Sequence, residues 1–212
     1  MIYASDAIDH AAEEWNRVCG QAVSFKRAPE DSPVDFRLAC MEDDGGQGTL
    51  ASSFFPGLPR RLMSYQTGSP IAPRIHLYPM CFKRPYRQAM YNVLCHELGH
   101  VLGLRHEFEE NIPSLRIGAV NEHSIMAYPN RNSQWCEHYI NDEDRNGLKE
   151  LYSLKEVKGY HIRDVDPAPI QEPNRSNYIE HGPPQESRVS LRAGLAPGPS
   201  AFWARVKEWS HF

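Results

Sequence analysis

Three histidines and a glutamate within eleven residues carry the chemistry of this sequence: His96, Glu97, His100 and His106, in the string His96-Glu97-Leu98-Gly99-His100-Val101-Leu102-Gly103-Leu104-Arg105-His106. Residues four apart on a helix stack on one face, so His96 and His100 present two imidazoles to one point. Gly103 stands where the chain must leave that helix and turn sharply, which suits a residue free to take positive φ. The turn brings His106 round as a third nitrogen ligand. Three imidazoles suit zinc and leave one tetrahedral position open, the pattern of a catalytic rather than a structural site. Glu97 lies about 100° round the helix from His96, beside such a metal rather than pointing at it. That placement fits a general base better than a ligand. Five fixed positions over a chain of this length arise by chance with a frequency of about 10⁻⁴.

Downstream, Ser124-Ile125-Met126-Ala127-Tyr128-Pro129 sets a methionine 20 residues after His106. Together the two strings resemble the metzincin zinc endopeptidases, whose motif H-E-x-x-H-x-x-G-x-x-H is followed by a methionine turn. The resemblance implies one catalytic zinc held by His96, His100 and His106, and Glu97 as the base that activates water. It also implies that Met126 is an apolar floor beneath the metal. Tyr128 looks like the tyrosine that approaches the zinc and stabilises the oxyanion in astacins and serralysins. Glu107, directly after the third histidine, is similar to the astacin residue that pairs with a newly cleaved N-terminal amine. Other segments are closer to the matrixins: Gly48 to Gly57 is similar to their bulge, edge strand and Pro-Gly, and Asp144 to Tyr152 to their final helix. Ser52 stands where matrixins carry a structural-zinc histidine, so a single zinc is expected. No Pro-Arg-Cys-Gly latch occurs.

The elements that must position these residues are legible in part. Ile8, Ala11, Ala12, Trp15 and Val18 recur at helical spacing, with Ser5 or Asp6 as the expected N-cap. The spacing of Met90, Val93, Leu94, Leu98, Val101 and Leu102 predicts a second helix over residues 86–102. Asn141 and Asp144 predict a capping box that opens a third. Strands are expected at 23–25, 34–40, 49–54 and 74–78. The third of these, between a Gly-rich turn and Pro56-Gly57, reads as an edge strand, and Leu50 and Ala51 are the residues expected to bond a substrate backbone. The expected fold is therefore α+β and metzincin-like, over residues 1–160: a twisted sheet with an antiparallel edge strand, an active-site helix and a lower lobe carrying the methionine turn. Residues 161–212 read as a Pro-rich extension, wrapping or flexible, with a short terminal helix around Phe202, Val206 and Trp209.

Composition narrows the partners. The 212 residues carry 23 Lys and Arg against 27 Asp and Glu, a net charge of −4, which argues against a nucleic-acid grip or an anionic-membrane anchor. No apolar run approaches the length of a membrane span. Five cysteines without C-x-x-C spacing argue against a zinc finger and leave the compartment open. The expected partner is a protein or peptide substrate bound by a monomer. The resemblance implies an extracellular location, although the first residues show no signal-peptide pattern. Two other readings share the site: a catalytically silent zinc-binding module, and a zinc amidase acting on a non-peptide substrate.

Overall fold

Phe36, Leu38, Ile75 and Leu77 alternate along two short segments in the way strands with one buried face require, and these segments pair. In the computed structural model of the chain, the strands before the second helix are β1 (Phe25–Arg27), β2 (Phe36–Cys40), β3 (Ala51–Ser52) and β4 (Arg74–Leu77). Strands β2 and β4 are parallel, with Leu38 opposite Ile75 and Cys40 opposite Leu77. On the other side of β4, β3 runs antiparallel, with Ala51 opposite Leu77 and Ser52 opposite His76. The structure describes residues 2–20, 22–29, 34–46, 48–56, 73–108, 116–129 and 134–154, and beyond 154 the backbone of five short strands. These are β5 (Glu156–Val157), β6 (Tyr160–His161), β7 (Arg163–Asp164), β8 (Val189–Ala193) and β9 (Arg205–Val206). The main sheet has the order β1-β8-β2-β4-β3. Strand β8, from the extension, is antiparallel to both of its neighbours and is the only strand that pairs with β1 among the described residues.

Among the described residues three α-helices pack with the sheet: α1 (Ile2–Cys19), α2 (Met90–Val101) and α3 (Asp142–Ser153). Ala4, Ile8, Ala11 and Trp15 of α1 join Phe36, Leu38, Ile75 and Leu77 of the sheet and Leu94 and Leu98 of α2 in one buried cluster. A fully buried Leu or Phe contributes about 1.5–3 kcal/mol, so this cluster dominates what holds helix against sheet. The Trp15 indole N–H donates to the Cys95 carbonyl at 2.8 Å, fixing α1 along α2.

Several boundaries differ from expectation, each for a local reason. Helix α1 starts at Ile2 rather than after Ser5, because the buried stripe extends back to Ala4. Ser5 instead accepts from the Arg27 guanidinium at 2.6 Å and ties α1 to β1. Residues 86–89 form a tighter 3₁₀ turn after Pro85, and α2 proper begins at Met90. Strand β3 stops at Ser52 because the next side chains turn inward: Phe54 packs on Phe36 and Phe55 on His100. Arg205 and Val206 pair with β7 as a strand where a terminal helix is expected. The sequence also suggests that loops 57–73 and 129–139 shape a specificity pocket and that Asn174-Arg175-Ser176 fits a glycosylation sequon; residues 57–72, 130–133 and the sequon lie outside the described residues.

Candidate metal centre

Helix α2 is buried along almost its whole length, so its polar residues sit deep unless something compensates them. His96, Glu97 and His100 are 2%, 5% and 7% exposed. The helix ends in a Schellman arrangement: Gly103, at φ 90°, donates to the His100 carbonyl and Leu104 to the Gly99 carbonyl, each at 2.9 Å. This reversal returns the chain over the last turn of α2 and delivers His106. The ring nitrogens of His96, His100 and His106 then lie within 4.8 Å of one another. The Nε2 atoms of His100 and His106 are 3.1 Å apart.

Two backbone carbonyls set the ring protonation. The His96 Nδ1–H donates to the Ile125 carbonyl, and the His100 Nδ1–H to the Leu104 carbonyl, both at 2.8 Å. A carbonyl only accepts, so in each ring the proton is on Nδ1. Burial, reinforced at His96 by the neighbouring His100, opposes the imidazolium form and pushes the pKa values to about 3 for His96 and about 4 for His100. Neutral rings protonated at Nδ1 turn their Nε2 lone pairs inward. Such a cluster of lone pairs fits a divalent cation, and the carbonyls behind the rings are the orienting partners that metal-binding histidines ordinarily have.

Glu97 lines the neighbouring cleft, and its Oε2 is buried without a hydrogen-bond partner. Burial pushes its carboxyl up to about 8. A cation beside it would favour the ionised form and offset that desolvation. The donor set and the orphaned carboxylate oxygen both fit a bound metal.

The methionine turn closes the centre from below. Ser124 to Ala127 are all buried; Met126 N donates to Ser124 Oγ and Ala127 N to the Ser124 carbonyl, both at 3.0 Å. Met126 lies against Gly99 of α2, where any Cβ would collide with its sulfur. The Met126 carbonyl accepts from Glu107 N at 3.0 Å, stitching the turn to the segment just after His106. The Glu107 carboxylate accepts from Asn121 N at 3.0 Å, a backbone partner in place of the amine suggested by the astacin likeness.

Tyr128 is 57% exposed, with its ring 4.3 Å from that of His106 and 5.6 Å from that of His96. Trp135, from the short 3₁₀ turn Trp135–Glu137, stands edge-on to His96 at 5.3 Å. Sequence reading does not single out Trp135. Its signal is only a large aromatic in a polar loop. Trp135 and Tyr128 form one wall of a cleft of about 820 Å³; Val93 and Glu97 line it from α2, and Leu50 and Ala51 from the edge of the sheet.

The two edge residues are not equivalent. The Leu50 carbonyl accepts from Tyr78 N at 3.0 Å, so Leu50 spends its backbone on β4. In an antiparallel ladder the next residue points its N–H and C=O the other way. Ala51 therefore faces the open edge, and the expectation that both residues offer their backbone to a substrate narrows to Ala51.

His138, one of the scattered histidines without helical i, i+4 pairing, is buried; its Nδ1–H donates to the Ser124 carbonyl at 3.2 Å and its own carbonyl accepts from Asn92 Nδ2 at 2.5 Å. It braces the back of the methionine turn. No known protein family matches this sequence, and no curated protein is detectably similar to it.

Proposed function

We propose that this chain is a zinc-dependent endopeptidase that holds an extended peptide along the open edge at Ala51. The observation that carries the reading is the convergence of three imidazoles, two of them held neutral by burial, beside a buried, unpartnered glutamate that lines a cleft, bordered by a strand edge that is unpaired among the described residues. What zinc supplies when held by His96, His100 and His106 is Lewis acidity toward water and toward a carbonyl. Glu97 takes the proton from the attacking water at Oε2 and passes it to the departing amine. The Tyr128 hydroxyl donates to the developing oxyanion, and Ala51 holds the peptide backbone in register. A peptide added at that edge is bound through its main chain, which serves a peptide-bond hydrolase better than an enzyme for a small amide.

The test is Glu97→Gln, which keeps shape and removes the proton acceptor. Zinc content stays at one per chain, while turnover of a mixed peptide library falls by about 10²–10⁴-fold. Equal turnover by the variant, or turnover indifferent to a chelator, overturns the mechanism. Stoichiometric zinc with no cleavage of any peptide by the wild-type chain would point instead to a silent module or to a non-peptide amide substrate.

A further inference from the structure

A second aromatic contact is made at His100, as the Trp135 contact is made at His96. Phe55, just past the end of β3, packs its ring 5.0 Å from that of His100. The Arg105 guanidinium lies over the other part of this stack, its Cζ 4.6 Å from the Phe55 centroid. Arg105 directly precedes His106, and both Arg105 and Phe55 are half-buried. Among the described residues no carboxylate bonds Arg105. Stacking occupies the face of a guanidinium and leaves its in-plane N–H donors free, in the fork that matches a carboxylate. A cation pre-oriented this way, in a chain of net charge −4, offers a positive group beside the proposed scissile site.

Strand polarity says which part of a substrate meets it. The chain runs from Thr49 and Ala51, which line the cleft, to Phe55, which leaves the cleft for His100. A peptide laid antiparallel to that run passes its C-terminal half over Thr49 and the Trp135 wall. Its N-terminal half passes over Phe55 and Arg105. We infer that Arg105, seated on Phe55, selects substrates carrying an acidic side chain a few residues N-terminal to the scissile bond. This rests on the endopeptidase reading and adds to it the chemical class of the sequence cleaved.

The experiment uses the zinc-loaded full chain and matched peptides with Glu, Gln or Lys two to four residues before the cleaved bond. The Glu peptide is expected to exceed the Gln peptide by about tenfold in kcat/KM, most of it in KM, with Lys lower still and the preference shrinking as salt rises. Arg105→Gln abolishes the Glu preference, and Arg105→Glu inverts it in favour of Lys, with zinc content unchanged. The same order is read without turnover, from fluorescence anisotropy of the labelled peptides on the Glu97→Gln chain. Equal handling of the three peptides by the wild-type chain, or an order that survives Arg105→Glu, overturns the inference while leaving the endopeptidase reading standing. Failure to cleave any peptide overturns that reading instead, and the anisotropy series still decides whether Arg105 selects acidic sequences.

Discussion

Burial acts on His96, His100 and Glu97 in the same physical sense, favouring the neutral form, but with opposite consequences along the pH axis. In the metal-free protein His96 and His100 have folded pKa values of about 3 and about 4, below the ordinary 6.5. Keeping them neutral costs nothing above 6.5 and progressively more as pH falls below it, because the unfolded chain then binds protons that the folded one refuses. Glu97, raised from 4.5 to about 8, costs nothing below 4.5 and progressively more up to 8. Two groups oppose one between 4.5 and 6.5, and Glu97 acts alone above that. These three groups therefore give the metal-free domain its greatest stability near pH 6.5. Urea unfolding in the presence of a chelator, across about pH 4 to 9, is expected to show that maximum. Zinc is expected to flatten the alkaline limb, because the cation favours ionised Glu97. A chelated protein whose stability keeps rising through pH 8 would contradict the burial of Glu97. Of these residues, the histidines and Glu97 announce themselves by spacing. Arg105 and Phe55 do not, since their meeting depends on a reversal at Gly103 and an inward turn after Ser52 that bring distant residues together.

At the scale of elements, the first turn of α3 does two jobs. Asn141 and Asp144 form the reciprocal cap that the sequence spells out, Asp144 N donating to Asn141 Oδ1 at 3.0 Å and Asn141 N to Asp144 Oδ2 at 3.1 Å. The same carboxylate also accepts from the Ser124 hydroxyl at 2.5 Å and from Ile125 N at 3.1 Å. Ile125 in turn supplies the carbonyl that orients His96. Asp144 is thus a positioning residue for the candidate metal centre, acting through the backbone N–H and C=O of a single residue, Ile125. Asp144→Ala leaves three donors without their acceptor, and calorimetry or urea unfolding is expected to show a loss of about 2–4 kcal/mol. Zinc affinity should fall in the same variant, since the Ile125 backbone that presents the orienting carbonyl to His96 is no longer held in place. Asp144→Asn keeps the shape and part of the bonding, and should fall between the two. A variant of full stability and full zinc affinity would remove Asp144 from this role. The capping box is a local pattern and so is readable from sequence. Its second use is not, because the partner turn lies some twenty residues away and is recruited by packing.

On the scale of the whole molecule, the extension is not separable from the sheet as described. Strand β8 lies between β1 and β2, so cutting the chain after residue 160 leaves both without a neighbour on that side. Because β8 lies away from β3, removing it does not unmask the Ala51 edge. Truncation is therefore expected to lower the urea midpoint without raising turnover. A truncated chain of unchanged midpoint and higher turnover would instead place the extension over the substrate groove. Composition alone hides this, although Val189, Leu191 and Ala193 alternate with polar Ser190 and Arg192 as a strand requires, a signal too short to stand out in the surrounding Pro-rich stretch.

The open edge at Ala51 has a further consequence. If that edge is the substrate rail proposed above, its main-chain contacts also accept the main chain of another copy of this protein. On the proposed endopeptidase reading, each molecule would then be both reagent and target. Purified material would nick itself at a pace that climbs with the square of its concentration, first wherever an exposed segment carries an acidic residue ahead of the cut. Its shelf life would be set by dilution and by keeping metal away, rather than by temperature alone.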